Sequence, residues 1–178
     1  MYQDVIMAGF GGQGVLLAGK LLAYAGMHEG KHVTWFPSYG AEIRGGTANC
    51  TVIISSNEIG SPVVQTPSAI LIFNDASYKK FERMVKPGGL LFLNTSLVKE
   101  KSLRTDITLI DIRANDIAEK LGDIRIANMV MLGAFLRQTG IVVIKSVLAA
   151  LEKVIPAGRH SLIALNEQAL KCGAEIST

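Results

Sequence analysis

Two short segments hold most of the residues whose types and spacing suit chemistry. The first is the turn Gly9-Phe-Gly-Gly-Gln-Gly14. Gly9, Gly11 and Gly14 fall in the G-x-G-x-x-G pattern, after an apolar run that reads as a buried strand and before a helical stretch. Glycines allow a tight turn and close backbone approach, and a helix N-terminus offers free N–H groups with a partial positive charge. The turn, with Gly12 and Gln13 inside it, can therefore cradle a phosphate. The alternative is a tight strand-to-helix turn that binds nothing. A dinucleotide site also needs an acid at the end of the second strand to hold the ribose hydroxyls. Here that strand ends Thr34-Trp35-Phe36-Pro37, and Glu29 precedes it, which argues against NAD or FAD. The G-x-x-x-x-G-K-[ST] pattern does not occur, so a P-loop is excluded.

The second segment reads Pro37-Ser-Tyr-Gly-Ala-Glu-Ile-Arg-Gly-Gly-Thr-Ala-Asn-Cys50. Ser38, Tyr39, Glu42, Arg44, Thr47 and Asn49 supply many hydrogen-bonding groups in a short stretch punctuated by glycines. Glu42 and Arg44 can pair with each other. Arg44, followed by Gly45 and Gly46, can also meet a phosphate or carboxylate with two parallel hydrogen bonds. The alternative is an ordered loop whose polar groups satisfy their own backbone. Cys50 reads as a buried, inert thiol, because no histidine or helix N-terminus is visibly placed to activate it. His28, His32 and His160 read as surface residues and Trp35 as a packing residue. No nucleophile–base–acid constellation emerges, so no catalytic residue is assigned.

These segments need a frame. Apolar runs at Asp4–Gly9, Lys31–Phe36, Thr47–Ser55, Ala69–Asn74, Leu90–Asn94 and Ile107–Ile112 predict six strands. Pro37 is expected to end the second, since it cannot donate to a ladder. Helices are predicted from the turn to about Glu29, over Asp75–Val85, Ala114–Leu121, Ile126–Gln138, from Ile144 to Leu151 with Pro156 as the stop, and over Leu162–Cys172. Ile126–Gln138 is apolar almost all round, which places it in the core or against a partner chain. Strands alternating with helices imply one α/β domain over residues 1–178, Rossmann-like, with a mainly parallel sheet and helices on both faces. Asn74, Asp75 and Asn94 then fall at the carboxyl ends of strands, the edge where such sheets bind ligands.

Composition narrows the class. The 178 residues are 49% hydrophobic and 19% charged, which rules out disorder. A net charge of +3, spread along the chain, does not argue for nucleic acid. Two isolated cysteines, Cys50 and Cys172, fall short of the about four thiolates that an iron–sulfur cluster takes, and they suit a reduced, cytoplasmic setting. The opening MYQDVIMAGFGG lacks a basic start and a long apolar run, so neither a secretory signal nor a membrane helix is expected.

The glycine turn together with the Pro37–Cys50 segment resembles the gamma subunit of 2-oxoacid:ferredoxin oxidoreductases, and Ile126-Ala-Asn-Met-Val-Met-Leu-Gly133 looks like that family's buried helix. The wording is most similar to the 2-oxoglutarate type. The resemblance covers nearly the whole chain. It implies a complex that forms acyl-CoA, carbon dioxide and reduced ferredoxin from a 2-oxoacid and coenzyme A. Thiamine diphosphate and the iron–sulfur clusters would belong to partner subunits, alpha, beta and delta. This chain would bind no cofactor alone. It would support assembly and enclose the coenzyme A side of the site with Gly9, Gly11, Gly12, Gln13, Gly14, Ser38, Tyr39, Glu42, Arg44, Gly45, Gly46, Thr47 and Asn49. Two other readings stay open. One is a free-standing nucleotide-binding module. The other is the beta subunit of an indolepyruvate-type enzyme, although a different run before Gly45-Gly46 would be expected there. An isolated subunit is also expected to self-associate through apolar surface left bare, with Ile126–Leu136 as one candidate.

Overall fold

Strand β1 (Tyr2–Phe10) alternates its side chains between two cores. Val5 and Met7 face one cluster, Ile6 and Ala8 the other, as a period-2 strand buried on both faces requires. The structure is a computed structural model and describes residues 1–39, 46–155 and 161–176. Strands β2 (His32–Tyr39), β3 (Thr47–Ser55), β4 (Ala69–Ile72), β5 (Leu90–Asn94) and β6 (Thr108–Ile112) complete a six-stranded sheet in the order β2-β3-β1-β4-β5-β6. Helix α1 (Val15–His28) follows β1, and Gly30 takes the left-handed conformation (φ 71°) just past its end. Helix α2 (Asp75–Phe81) continues into a 3-10 turn at Glu82–Met84. Helices α3 (Ala114–Lys120), α4 (Ala127–Thr139), α5 (Ile144–Val154) and α6 (Ser161–Ala174) make up the last third. The larger core lies under α1 and α3–α6, and the smaller one under α2, so helices cover both faces.

β4, β5 and β6 run parallel to β1, as expected, but β3 does not. It pairs antiparallel with both β1 and β2, which therefore run in one direction with β3 slotted between them. Nor does Pro37 end β2. The strand continues to Tyr39, with Pro37 opposite Cys50. β2 is an edge strand, so a residue lacking an N–H is tolerated in it. Ser38 and Tyr39, predicted in a loop, thus belong to a strand. Pro156 and His160 lie outside the described residues.

α4 is buried from Ala127 to Leu136, which puts Ile126–Leu136 in the core and removes it as a surface for partners or self-association. It is crossed closely by α6. A Cβ on Gly133 would strike the Leu170 carbonyl oxygen, and one on Gly173 the Val130 carbonyl oxygen, so the two helices touch backbone to backbone through glycine. No helix among the described residues is long and apolar enough to cross a membrane.

Candidate functional site

Because five of the six strands point the same way, the carboxyl ends of β1, β2, β4, β5 and β6 share one edge, and β3 starts there. Both sequence motifs meet at that edge. Phe10 at the end of β1 lies opposite Thr47, and the Gly11 amide donates to the Gly46 carbonyl at 3.0 Å. Asn49 pairs with Ala8 on one side and with Ser38 on the other. Ser38 and Thr47 are exposed, Asn49 half-buried. Tyr39 ends β2 opposite Ala48. Glu42, Arg44 and Gly45 lie outside the described residues.

Gly9 and Gly14 of the turn are constrained in different ways. A Cβ on Gly9 would sit 2.6 Å from Gln13 Oε1 and 2.8 Å from Val15 Cγ2. Gly14 takes a left-handed φ of 70° at the start of α1, and a side chain there would run into the Asn128 amide. Asn128, 2% exposed on α4, donates from Nδ2 to the Gly14 carbonyl at 3.0 Å. Gly14 has no side chain to cap α1, so the turn presents the first-turn amides without an internal acceptor from that position.

Gln13 decides what the turn can hold. The sheet changes its winding between β1 and β4, where open α/β sheets have their ligand crevice. Gln13 Oε1 accepts from the Phe10 amide at 2.7 Å and from Asn74 Nδ2 at 2.8 Å. Its Nε2 donates to the Phe73 carbonyl at 3.3 Å. The side chain therefore bridges β1 to β4 and narrows the crevice between them. Asn74 in turn caps α2, accepting from the Ser77 amide at 2.9 Å. Asp75 accepts from the Lys99 amide at 2.9 Å. At the end of β5, buried Asn94 donates to Asn115 Oδ1 at 2.7 Å, while its own Oδ1 has no partner among the described residues.

What remains open beside the turn is a cavity of 160 Å³ lined by Gly12, Gln13, Phe73, Asn115, Ile124, Arg125 and Ala127. Arg125 holds Asp123 bidentately, Nε to Oδ1 at 2.9 Å and Nη2 to Oδ2 at 2.6 Å, and those bonds depress the Asp123 carboxyl to about 2. Asn115, Arg125 and Asn128 were not singled out from the sequence. They come from α3, α4 and the turn before α4, and no local motif links them to Gly9–Gly14.

Cys50 is fully buried, and its thiol is pushed up to about 12 by burial, with a hydrogen bond from Trp35 pulling weakly the other way. Gly19 on α1 leaves the room in which the Cys50 sulfur and the Trp35 ring nitrogen pack. The reading of Cys50 as an inert thiol fits this arrangement, whereas Trp35, expected to pack, is 37% exposed and turns its ring nitrogen toward Gly19. A cluster takes about four thiolates, and the two cysteines of this chain, Cys50 on β3 and Cys172 on α6, do not fit that need, so no step here runs through a cluster on this chain. His28 and His32 are exposed, as expected.

A mostly parallel open sheet, helix-covered on both faces and carrying a glycine turn at its carboxyl edge, defines a Rossmann-like α/β domain. The family model described as pyruvate ferredoxin/flavodoxin oxidoreductase matches residues 4–176, and the chain belongs to that family. The 2-oxoglutarate synthase subunit KorC of Methanothermobacter marburgensis is 33% identical over 183 residues, an alignment covering 99% of this chain and 97% of the relative. The ketoisovalerate oxidoreductase subunit VorA of Methanothermobacter thermautotrophicus is 37% identical over 171 residues, covering 96% of this chain and 35% of the relative. The chain thus spans about a third of the length of the VorA relatives it matches. Among solved structures, the keto/oxoacid ferredoxin oxidoreductase gamma subunit from Geobacter sulfurreducens superposes with a TM-score of 0.83 at 28% identity, covering 97% of this chain and 96% of that one.

Proposed function

We propose that this chain acts as the gamma subunit of a 2-oxoacid:ferredoxin oxidoreductase, with 2-oxoglutarate as the substrate. Its task is to support assembly and to close the coenzyme A side of the active site with the carboxyl edge. Thiamine diphosphate and iron–sulfur clusters, held by partner subunits, supply the carbon–carbon cleavage and the electron transfer. This chain's residues position and enclose.

The observation that carries the reading is the Gln13 bridge. Through three hydrogen bonds to Phe10, Phe73 and Asn74 it narrows the crevice between β1 and β4, where open α/β sheets bind ligands. The turn then has its backbone amides and the adjoining β2–β3 connection to offer outward, to another chain or to a ligand shared with one. The two-way coverage with the KorC relative supports the 2-oxoglutarate type. A second substrate, the branched 2-oxoacid 2-ketoisovalerate, is favoured by the higher identity to VorA.

The test is to tag the chain in its native cell, purify it anaerobically, and assay iron, thiamine diphosphate and 2-oxoacid-dependent ferredoxin reduction on one sample. Co-purifying subunits with activity on 2-oxoglutarate are expected. Activity on 2-ketoisovalerate alone reassigns the substrate. A lone chain without iron or thiamine diphosphate overturns the subunit reading. Within the active complex, Arg44→Ala is expected to raise the coenzyme A requirement or to block assembly, and unchanged kinetics in an intact complex would remove Arg44 from the site.

A further inference from the structure

The net charge of +3 is unevenly distributed. Between Lys79 and Asp106 lie seven of the 18 basic residues and three of the 15 acidic ones, a net +4 that leaves the rest of the chain at −1. Apart from the buried strand β5, the segment's end of α2, the 3-10 turn after it and the β5–β6 connection meet at one groove on the α2 face of the sheet. We propose that this face is a docking surface for an acidic protein, a partner subunit of the same complex. The proposal therefore rests on the gamma-subunit reading.

Three observations carry it. First, the acids on this face are already engaged within the chain. Glu100 pairs with Lys79 at 3.1 Å, Arg104 Nη2 with Asp106 at 2.6 Å, and Glu82 accepts from the Ser102 hydroxyl at 2.6 Å. Arg83 and Lys101 are exposed, and no ion pair is found for either among the described residues. Second, Lys79, Arg83 and Lys101 edge an open groove of 590 Å³ between α2 and the connection. Third, Leu103 in that groove is 93% exposed, the most exposed large apolar side chain among the described residues. It is not on a loose loop. Its neighbours are tied down on both sides, Ser102 to Glu82 and Arg104 to the Glu82 and Val85 carbonyls at 3.2 and 2.8 Å. An apolar side chain held out rigidly inside a basic rim matches an apolar recess ringed by carboxylates.

The mixed signs favour protein over other polyanions. Nucleic acid and anionic lipid reward unbroken positive charge, whereas Glu82 and Glu100 sit inside this groove. A single exposed leucine also offers far less than the apolar face of a membrane-bound helix.

The experiment uses the anaerobically purified complex and the isolated chain side by side. Lysine acetylation rates are read residue by residue by mass spectrometry, together with zero-length carbodiimide cross-links. Lys79 and Lys101 are expected to react at least fivefold more slowly in the complex and to cross-link to carboxylates of a second subunit. The double variant Arg83→Glu/Lys101→Glu, at two exposed positions, is expected to lower at least twofold the NaCl concentration that releases the chain. Lys120→Glu, on the opposite face, is expected to leave it unchanged. Leu103→Ala is expected to weaken retention about tenfold without changing the salt dependence. Equal acetylation in complex and free chain overturns the docking surface while leaving the subunit reading intact. Failure of any subunit to co-purify overturns both. Binding of phosphatidylserine vesicles that the double variant abolishes, without protection in the complex, reassigns the face to a membrane.

Discussion

Gln13 bridges the ends of β1 and β4. Its amide is both acceptor and donor, so one residue ties the Phe10 amide, Asn74 and the Phe73 carbonyl across two strands. Gln13→Ala is expected to cost about 1–2 kcal/mol, because the half-buried groups it leaves regain only some of their partners from water. Urea denaturation checks this. A cost near zero would mean that the bridge is dispensable. Cys50 gives a second residue-scale expectation. With its thiol pushed up to about 12 by burial, it should stay unreactive toward a thiol reagent at pH 8 until the chain unfolds, while half-buried Cys172 reacts in the native state. Biphasic labelling, with one thiol released by denaturant, is the expected record. Cys50 was legible in the sequence, since nothing nearby could activate it. Gln13 was legible only as a member of the turn. Its bridging depends on Phe73 and Asn74, some 60 residues away, and no spacing rule reaches that far.

At the scale of elements, α5 begins without a cap of its own, and Glu29 supplies one from the end of α1. The Val143 amide donates to Glu29 Oε1 at 2.8 Å, and Lys31, which also reaches the Ile141 carbonyl, holds Oε2 at 2.8 Å. Partial burial by itself would raise the Glu29 carboxyl. Hydrogen bonds from Lys31, the Val143 amide and the Ser146 side chain outweigh it and hold the group below the ordinary glutamate value. A depressed carboxyl contributes its stability above the unfolded value and loses it as pH falls through the folded one. Glu29→Gln is therefore expected to cost about 1 kcal/mol at pH 7, and the gap from the unsubstituted chain should close on acidification well below pH 4. Matched urea midpoints at both pH values measure it. The α4–α6 crossing is less forgiving. Gly133→Ala drives a methyl into the Leu170 carbonyl, so the helices must part, at about 1–3 kcal/mol. A melting temperature lower by roughly 3–10 °C is expected. Most elements could be read in advance, because glycines end helices and β-branched runs make strands. β3 was placed at the observed Thr47–Ser55. Strand direction was not legible. Alternating elements imply parallel neighbours, and nothing local in Thr47–Ser55 says that it returns antiparallel between β1 and β2.

For the whole molecule, the crevice narrowed by Gln13 and the missing acid at the end of β2 lead to one expectation. Calorimetric titration of the chain with NAD, FAD and ATP should give no saturable heat. Saturable micromolar binding of any of them would mean that Gln13 swings aside and would revive the free-standing module. The family and the fold were readable from the two motifs, since both recur in a fixed frame. Where the charge sits was not. The basic run between Lys79 and Asp106 can be counted in the sequence, but only folding α2 against the β5–β6 connection brings its groups to one groove. The inserted β3 also sets an order of events during synthesis. β1, nine residues long, is made before the other five strands of the sheet, yet its two neighbours are β3 and β4, complete only at Ser55 and Ile72. Until then the central strand has two bare edges and apolar side chains on both faces, the condition in which nascent chains pair wrongly. The central strand thus waits until Ile72 for its second neighbour, and the yield of folded chain should depend on how quickly translation carries it past that point.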